Sequence, residues 1–371
     1  MKKTYLLVII LIVLVILTIC LTTLNKENTA TGTSSNKMYE SSNLFTESDL
    51  EQEVDTSKAT SYTISNGNDI TITKEGVYLI SGTAQNTTIY VEAGDEDKVQ
   101  LILDGLSITN ETMPAIYVKT ANKVFVTLKE TNTLNVIGTF TTDGTTKLNG
   151  AIFSKQDIVL NGTGSLTIDS TKSGIVGKDD IKITGGTYSI IAKEVAIKAN
   201  DSIRIANGNI TLNAGTDGLH AENSDDDTKG YIYINGGNIN IQALDDCVHG
   251  QSVVQVDDGT LILNGDECIE GTYIQINGGN INIKATSDGI NAGSKSESYD
   301  VTIEITGGTI SVETTSDESD GIDSNGDIKI TGGTIKVNST LPFDYVGNET
   351  FTGGIVIVNG TQVDTIPKST K

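Results

Sequence analysis

Residues 268–283 read CIEGTYIQINGGNINI. A small residue and an aliphatic one open the stretch, an alternating triplet (Ile274, Gln275, Ile276) follows, and after Gly278-Gly279 comes a second triplet (Ile281, Asn282, Ile283). Alternation over so few residues has the period of a half-buried strand and not of a helix. The same order restarts at Gly174, Ala196, Gly218, Cys247, Gly289 and Gly321, roughly every 22 residues, and more loosely at Thr88, Ala115 and Ala151. Strands this short cannot each bury a face alone, so successive units must stack on a shared core. Glycine pairs beginning at 185, 236, 278, 307 and 332 supply bends where a positive φ or a close approach costs little. The pattern predicts an all-β chain, a right-handed parallel β-helix solenoid of about ten coils and about 50 Å in length at ordinary strand spacing. Residues 61–87 and the tail from Leu341 are expected to cover its open ends.

Outside the repeats the chain changes character twice. Two lysines precede a run from Thr4 to Asn25 without any charge, long enough to span a bilayer, so residues 1–24 read as a membrane anchor or signal peptide. The positive-inside rule then puts everything downstream outside the cytoplasm, at the cell surface or secreted. Residues 25–60 are polar and read as a flexible stalk, in which FTESDLEQEV has the makings of a cap, and residues 61–371 form the repeat domain. With 48 Asp and Glu against 25 Lys and Arg, the formal charge of −23 disfavours nucleic acid or an anionic membrane as direct partner and favours divalent cations.

Aligning the repeats on their small-aliphatic pair stacks one residue from each into a column. Just before the pair stand Asp217, Asp246, Glu267, Asp288 and Asp320, five successive carboxylates. Like charges stacked about 5 Å apart repel by roughly 3 kcal/mol per neighbouring pair at an effective dielectric near 20. Calcium between repeats would convert that repulsion into coordination, with Asp217, Asp245, Asp246, Asp266, Glu267, Glu270, Asp288, Asn291, Asp320 and Asp323 as the candidate ligands. The competing reading is a set of solvated Asp-Gly turns, which explains any one acid but not their shared register.

One residue after the aliphatic, a second column runs Tyr90, Tyr117, Phe153, Val176, Lys198, His220, His249, Glu270, Asn291 and Asp323 and is expected to face outward. Its aromatic end (Tyr90, Tyr117, Phe153) could stack on sugar rings. Lys198, His220 and His249 are candidates for contacting a glycan, against the plainer reading of ion-paired or solvent-facing side chains. Cys247 and Cys268 hold equivalent places in adjacent repeats, so they form either a disulfide or a pair of small buried thiols.

The runs at 77–136 (VYLISGTAQ to TNTLNV), 217–241 (DGLHAENSDDDTKGYIYINGGNINI) and 320–335 (DGIDSNGDIKITGGTI), followed by Pro342-Phe343-Asp344-Tyr345, resemble a bacterial secreted calcium-binding, carbohydrate-binding β-helix family with a pectate-lyase-like fold. The resemblance spans roughly residues 45–345 and implies polysaccharide binding, with acidic pectic or cellulose-like glycans as ligands and Ca²⁺ between coils. Cys247 and Cys268 depart from the glycine usual there. The expected function is therefore a monomeric, non-catalytic polysaccharide binder. A calcium-dependent lyase with Lys198 as base and a structural cell-surface adhesin are the alternatives.

Overall fold

The computed structural model describes residues 37–369. The chain divides into Met1–Met38 and Tyr39–Lys371, and the folded body is the second unit. That body is all-β apart from two single-turn helices, Ser41–Leu44 and Glu47–Leu50. Among the described residues no helix is long and apolar enough to cross a membrane. The expected span at residues 1–24 lies outside the described residues.

Nearly every strand pairs in parallel with its counterpart one repeat away, forming three ladders. Ladder one joins twelve strands, from Ile70–Ile72 through Ile197–Ala199, Leu219–Ala221 and Ile290–Ala292 to Leu341–Tyr345. Ladder two contains strands such as Lys123–Lys129, Asp180–Ile183 and Thr302–Ile305. Ladder three contains Thr187–Ala192, Asn209–Ala214 and Asn280–Ala285 among others. Because side chains alternate along a strand, in-register pairing stacks like on like. Ile175, Ile197, Leu219, Val248, Ile269, Ile290 and Ile322 thus form one continuous, fully buried file. The glycine pairs turn the chain where neighbours come close: Gly279 has φ +86°, and a Cβ on Gly278 would lie 2.2 Å from the Asp257 carbonyl oxygen.

Three expectations need correction. Residues 61–87 do not end the stack but extend it, since Thr60–Thr63 pairs in parallel with Tyr78–Ser81 and Ile70–Ile72 with Ile89–Val91. The segment from Leu341 likewise adds one more set of parallel strands before an antiparallel hairpin, Ile355–Val358 with Thr361–Val363, ends the ladder. Of the two readings left open for Cys247 and Cys268 the structure has the thiol pair, fully buried in the core with sulfurs 3.7 Å apart, so they act as small apolar residues.

The third correction concerns the stalk, because from Tyr39 onward it is a strap across the outer face of ladder two. Tyr39 stacks on Tyr231 at 4.4 Å, while its backbone N–H and carbonyl both engage the Gln255 amide, at 2.8 and 2.9 Å. Thr46 and Asp49 form a capping box, which fixes the second helical turn. That turn delivers the Asp49 carboxylate, fully buried, between Lys182 Nζ at 2.8 Å and Lys123 Nζ at 3.0 Å. Gln52 follows, accepting from Gly162 N at 2.9 Å and donating to the Thr184 carbonyl at 3.1 Å. A polar composition concealed this segment because its anchors are ion pairs and amides more than apolar side chains.

Burial alone would raise the Asp49 pKa, but Lys182, the Thr46 N–H and Lys123 outweigh it and hold the group down at about 2 against an ordinary 3.8. A depressed carboxylate pKa contributes stability that is fully present above the unfolded value and is lost as pH falls through the folded one. Strap docking is therefore expected to weaken between about pH 4 and pH 2, by on the order of 2 kcal/mol. Limited proteolysis within residues 39–58 measures it. Asp49→Ala should produce the open, cleavable strap already at pH 7, because it leaves two lysines without their carboxylate, a loss of about 3 kcal/mol.

Candidate functional site

The acid column is real in space. The carbonyls of Asp246, Glu267, Asp288 and Asp320 accept hydrogen bonds from Gly218, Cys247, Cys268 and Gly289, the residues that follow the preceding acid in the column. Each acid thereby sits one strand spacing from the next. The outward column of ladder one holds equally, with Tyr90, Tyr117, Phe153, Val176, Lys198, His220, His249, Glu270, Asn291 and Asp323 paired in that order.

At its upper end this column differs from expectation. Tyr117 and Phe153 are fully buried and only Tyr90 is partly open, so no aromatic strip faces a glycan. The long insertion of that repeat folds over them, placing Phe140 and Leu148 in the core, while Tyr117 Oη donates to Asp143 Oδ2 at 2.9 Å. The T-shaped contact of Tyr117 with Phe153, centroids 5.6 Å apart, is a packing contact.

In the middle, the column neutralises itself. The rings of His220 and His249 stack at 4.5 Å with planes 7° apart, a consequence of their in-register pairing. His220 Nδ1 donates to Asp217 Oδ2 at 2.7 Å, and its Nε2 lies 3.1 Å from Glu222 Oε2. His249 Nδ1 stands between Asp246 Oδ2 at 2.7 Å and Glu270 Oε2 at 2.6 Å. Lys295 Nζ reaches the other Glu270 oxygen at 2.5 Å. Lys198, proposed as a base, lies 3.9 Å from Glu222 Oε2. Asp246, Glu270 and Asp217 thus meet histidine and lysine as well as one another.

The titration behaviour follows from those contacts. Burial pushes His249 down, yet its two carboxylate partners outweigh that and raise it to about 10. Burial raises Glu270, but His249 and Lys295 together hold it at about 2. Asp246 goes up, first through burial and then through the Glu270 charge, despite its bond to His249. The two acids share one imidazole, and the lysine on Glu270 decides which of them keeps its charge. Asp217, also favoured toward neutrality by burial, ends below its ordinary value because of His220 and the Asp246 N–H.

Lys295 and Glu222 escaped the repeat alignment because both lie in or beside insertions. The loops at 223–230 and 293–300 touch: Ser296 Oγ donates to the Asp227 carbonyl at 2.7 Å, and Glu297 N to Asp227 Oδ2 at 3.2 Å. Thr272 Oγ1 accepts from the backbone N–H groups of both Lys295 and Ser296, at 3.0 and 2.9 Å, which aims the lysine at Glu270. The 293–300 insertion thus adds one cation, Lys295, to the two histidines that the repeats themselves place against the acids.

At the lower end the donors are oxygens. Carboxylate atoms of Asp288, Asp320 and Asp323 lie within 4.8 Å of one another, and Asp320 is fully buried. The backbone N–H of Asp320 donates to Asp288 Oδ1 at 2.7 Å. Asn291, paired with Asp323, gives its amide N–H to Glu267 Oε2 at 2.8 Å, while its buried Oδ1 has no hydrogen-bond partner. The two ends of an amide diverge, so this oxygen points away from Glu267. Asp217, Asp245 and Asp246 form a second carboxylate trio within 4.8 Å, with Asp245 exposed. Asp266 stands apart, accepting from Thr286 Oγ1.

Known proteins resemble this chain in sequence and fold. A protein of Acetivibrio thermocellus described as a carbohydrate-binding domain-containing protein is 37% identical over 130 residues, 33% of this chain and 45% of that protein. The aligned region therefore spans less than half the length of that relative. A solved structure of a polysaccharide lyase-like protein from C. thermocellum, a gadolinium derivative, is 31% identical with a TM-score of 0.52, covering 59% of this chain and 92% of that one. Residues 66–271 and 264–350 match the carbohydrate-binding domain-containing proteins, which is more than half of the chain, and the chain belongs to that family.

Proposed function

We propose that this protein is an extracellular, non-catalytic polysaccharide-binding protein whose three ladders wind as a right-handed parallel β-helix. In this reading residues 1–24 anchor or export it, the molecule is a monomer that binds acidic or cellulose-like glycans, and calcium held at the acid column joins it to the acidic kind. The observation that carries the calcium is the lower cluster: three carboxylates from two repeats converge, and Asn291, the strand partner of Asp323, has a buried amide oxygen without a hydrogen-bond partner. Stacked carboxylates at that separation repel by roughly 3 kcal/mol per pair, and an all-oxygen donor set suits calcium, which takes 6 to 8 oxygens in irregular geometry. Asp288, Asp320, Asp323 and Asn291 would hold it, with Glu267 positioning the amide. Calcium there would supply an electropositive point to which a uronate carboxylate can bind on an otherwise acidic surface. The middle cluster suits that role less, since His249 and Lys295 already stand against Asp246 and Glu270.

Two outcomes are expected. Calorimetry should detect calcium binding that weakens at least tenfold in Asp320→Asn and much less in Asp246→Asn; equal effects of the two substitutions would relocate the site. Retention on immobilised polygalacturonate should be lost in EDTA and restored by added calcium, and retention that ignores the chelator would overturn the bridging role.

A further inference from the structure

The outer face of ladder three has a character unlike the rest of the molecule. Four consecutive segments, Thr187–Ala192, Asn209–Ala214 and the stretches 238–243 and 260–265 of two longer strands, alternate buried inward residues, mostly aliphatic or alanine, with outward side chains. Those outward side chains are Thr, Ser, Asn, Gln and Ile, without one charged residue among them. In a chain with a formal charge of −23 and 20% charged residues, a charge-free patch of this extent on an open surface is a marked contrast. No register shift interrupts the pairing of these strands over that face, so Thr211, Asn240 and Ile262 follow one another in a straight file. Neighbouring side chains lie about 4.8 Å apart across strands and about 7 Å apart along them.

The chemistry of the face narrows its partner. Amides and hydroxyls offer donors and acceptors together, and Asn238 Nδ2 already bonds Asn209 Oδ1 at 2.9 Å, the pairing a regular amide row makes. Between these stand exposed aliphatics, Ile191 and Ile262, with Leu244 beyond the strand end. A protein interface core would instead be enriched in Tyr, Trp, Met and Arg, and a polyanion would need cations, of which these four segments have none, the flanking strands bringing one acid, Asp169, and one base, Lys284. Uncharged pyranose chains match it, since they present rows of hydroxyls beside apolar C–H faces and carry no charge to satisfy.

We propose that the outer face of these four segments of ladder three is a second, metal-independent binding surface for an uncharged polysaccharide, lying flat against the rows of Thr, Asn and Ile. The proposal rests on the carbohydrate-binding reading above but not on its calcium site. The glycan docks by hydrogen bonds to the Asn and Thr rows and by contact of its apolar ring faces with Ile191 and Ile262. Because the backbone of the sheet fixes the rows, little ordering accompanies binding.

The test uses full-length wild-type protein and the double variant Thr211→Lys/Asn240→Lys, which changes only exposed side chains, with thermal melts to establish that folding is unchanged. Each is pulled down on an insoluble unsubstituted β-1,4-glucan and on immobilised polygalacturonate, with calcium and with EDTA. Wild type should bind the neutral glucan equally in both conditions, and the variant should lose at least tenfold in that binding while keeping calcium-dependent retention on polygalacturonate. Neutral-glucan binding that is absent in wild type, that disappears in EDTA, or that survives the double substitution would overturn the second surface. Loss of the polygalacturonate arm alone would instead count against the calcium site.

Discussion

Everything here depends on one constraint, the in-register parallel pairing of strands from successive repeats. It fixes neighbouring equivalents at about 4.8 Å and gives each position in the repeat a single environment along the stack. Apolar positions become continuous buried files, and the ordinary contribution of a buried aliphatic, about 1.5–3 kcal/mol each, accumulates with every repeat added. The same geometry forces any polar residue at a repeated position to meet its own kind. Stacked imidazoles, an amide row and a column of carboxylates are all products of that rule.

The carboxylate column shows how the molecule manages a contact the rule makes unfavourable. Along ladder one the outward file passes from buried rings through Lys198 and the histidine pair to Glu270, Asn291 and Asp323. In the middle the opposing charge comes from within, from His220, His249 and the loop-borne Lys295. Lower down the donors are carboxylates and an amide oxygen, the chemistry of a hard cation. Ladder one therefore contains two electrostatic arrangements, one balanced by histidine and lysine and one built from oxygen atoms.

The repeats were the legible part of the sequence, because a period of about 22 residues with alternating triplets leaves few ways to stack. Both columns on ladder one follow residue by residue from that period. What could not be read was whatever lies over a face from outside the repeat. The Phe140 insertion that buries Tyr117 and Phe153, the strap that carries Asp49, and the loop that carries Lys295 all make contacts distant in sequence through side chains with no periodicity. Residues 61–87 were misread for the opposite reason: their strands obey the rule, but irregular spacing hid them.

The strap also gives the molecule a mechanical order. Its contacts lie in a line along ladder two, from Tyr39 on Gln255 and Tyr231, through Leu44 near Arg204, to Asp49 on Lys182 and Lys123 and Gln52 on Gly162. Tension entering the body at Tyr39 would load these side-chain contacts one after another, as in unzipping, before any ladder hydrogen bond bears force. A pull at that end would meet these side-chain contacts first and the hydrogen bonds of the stack only after them.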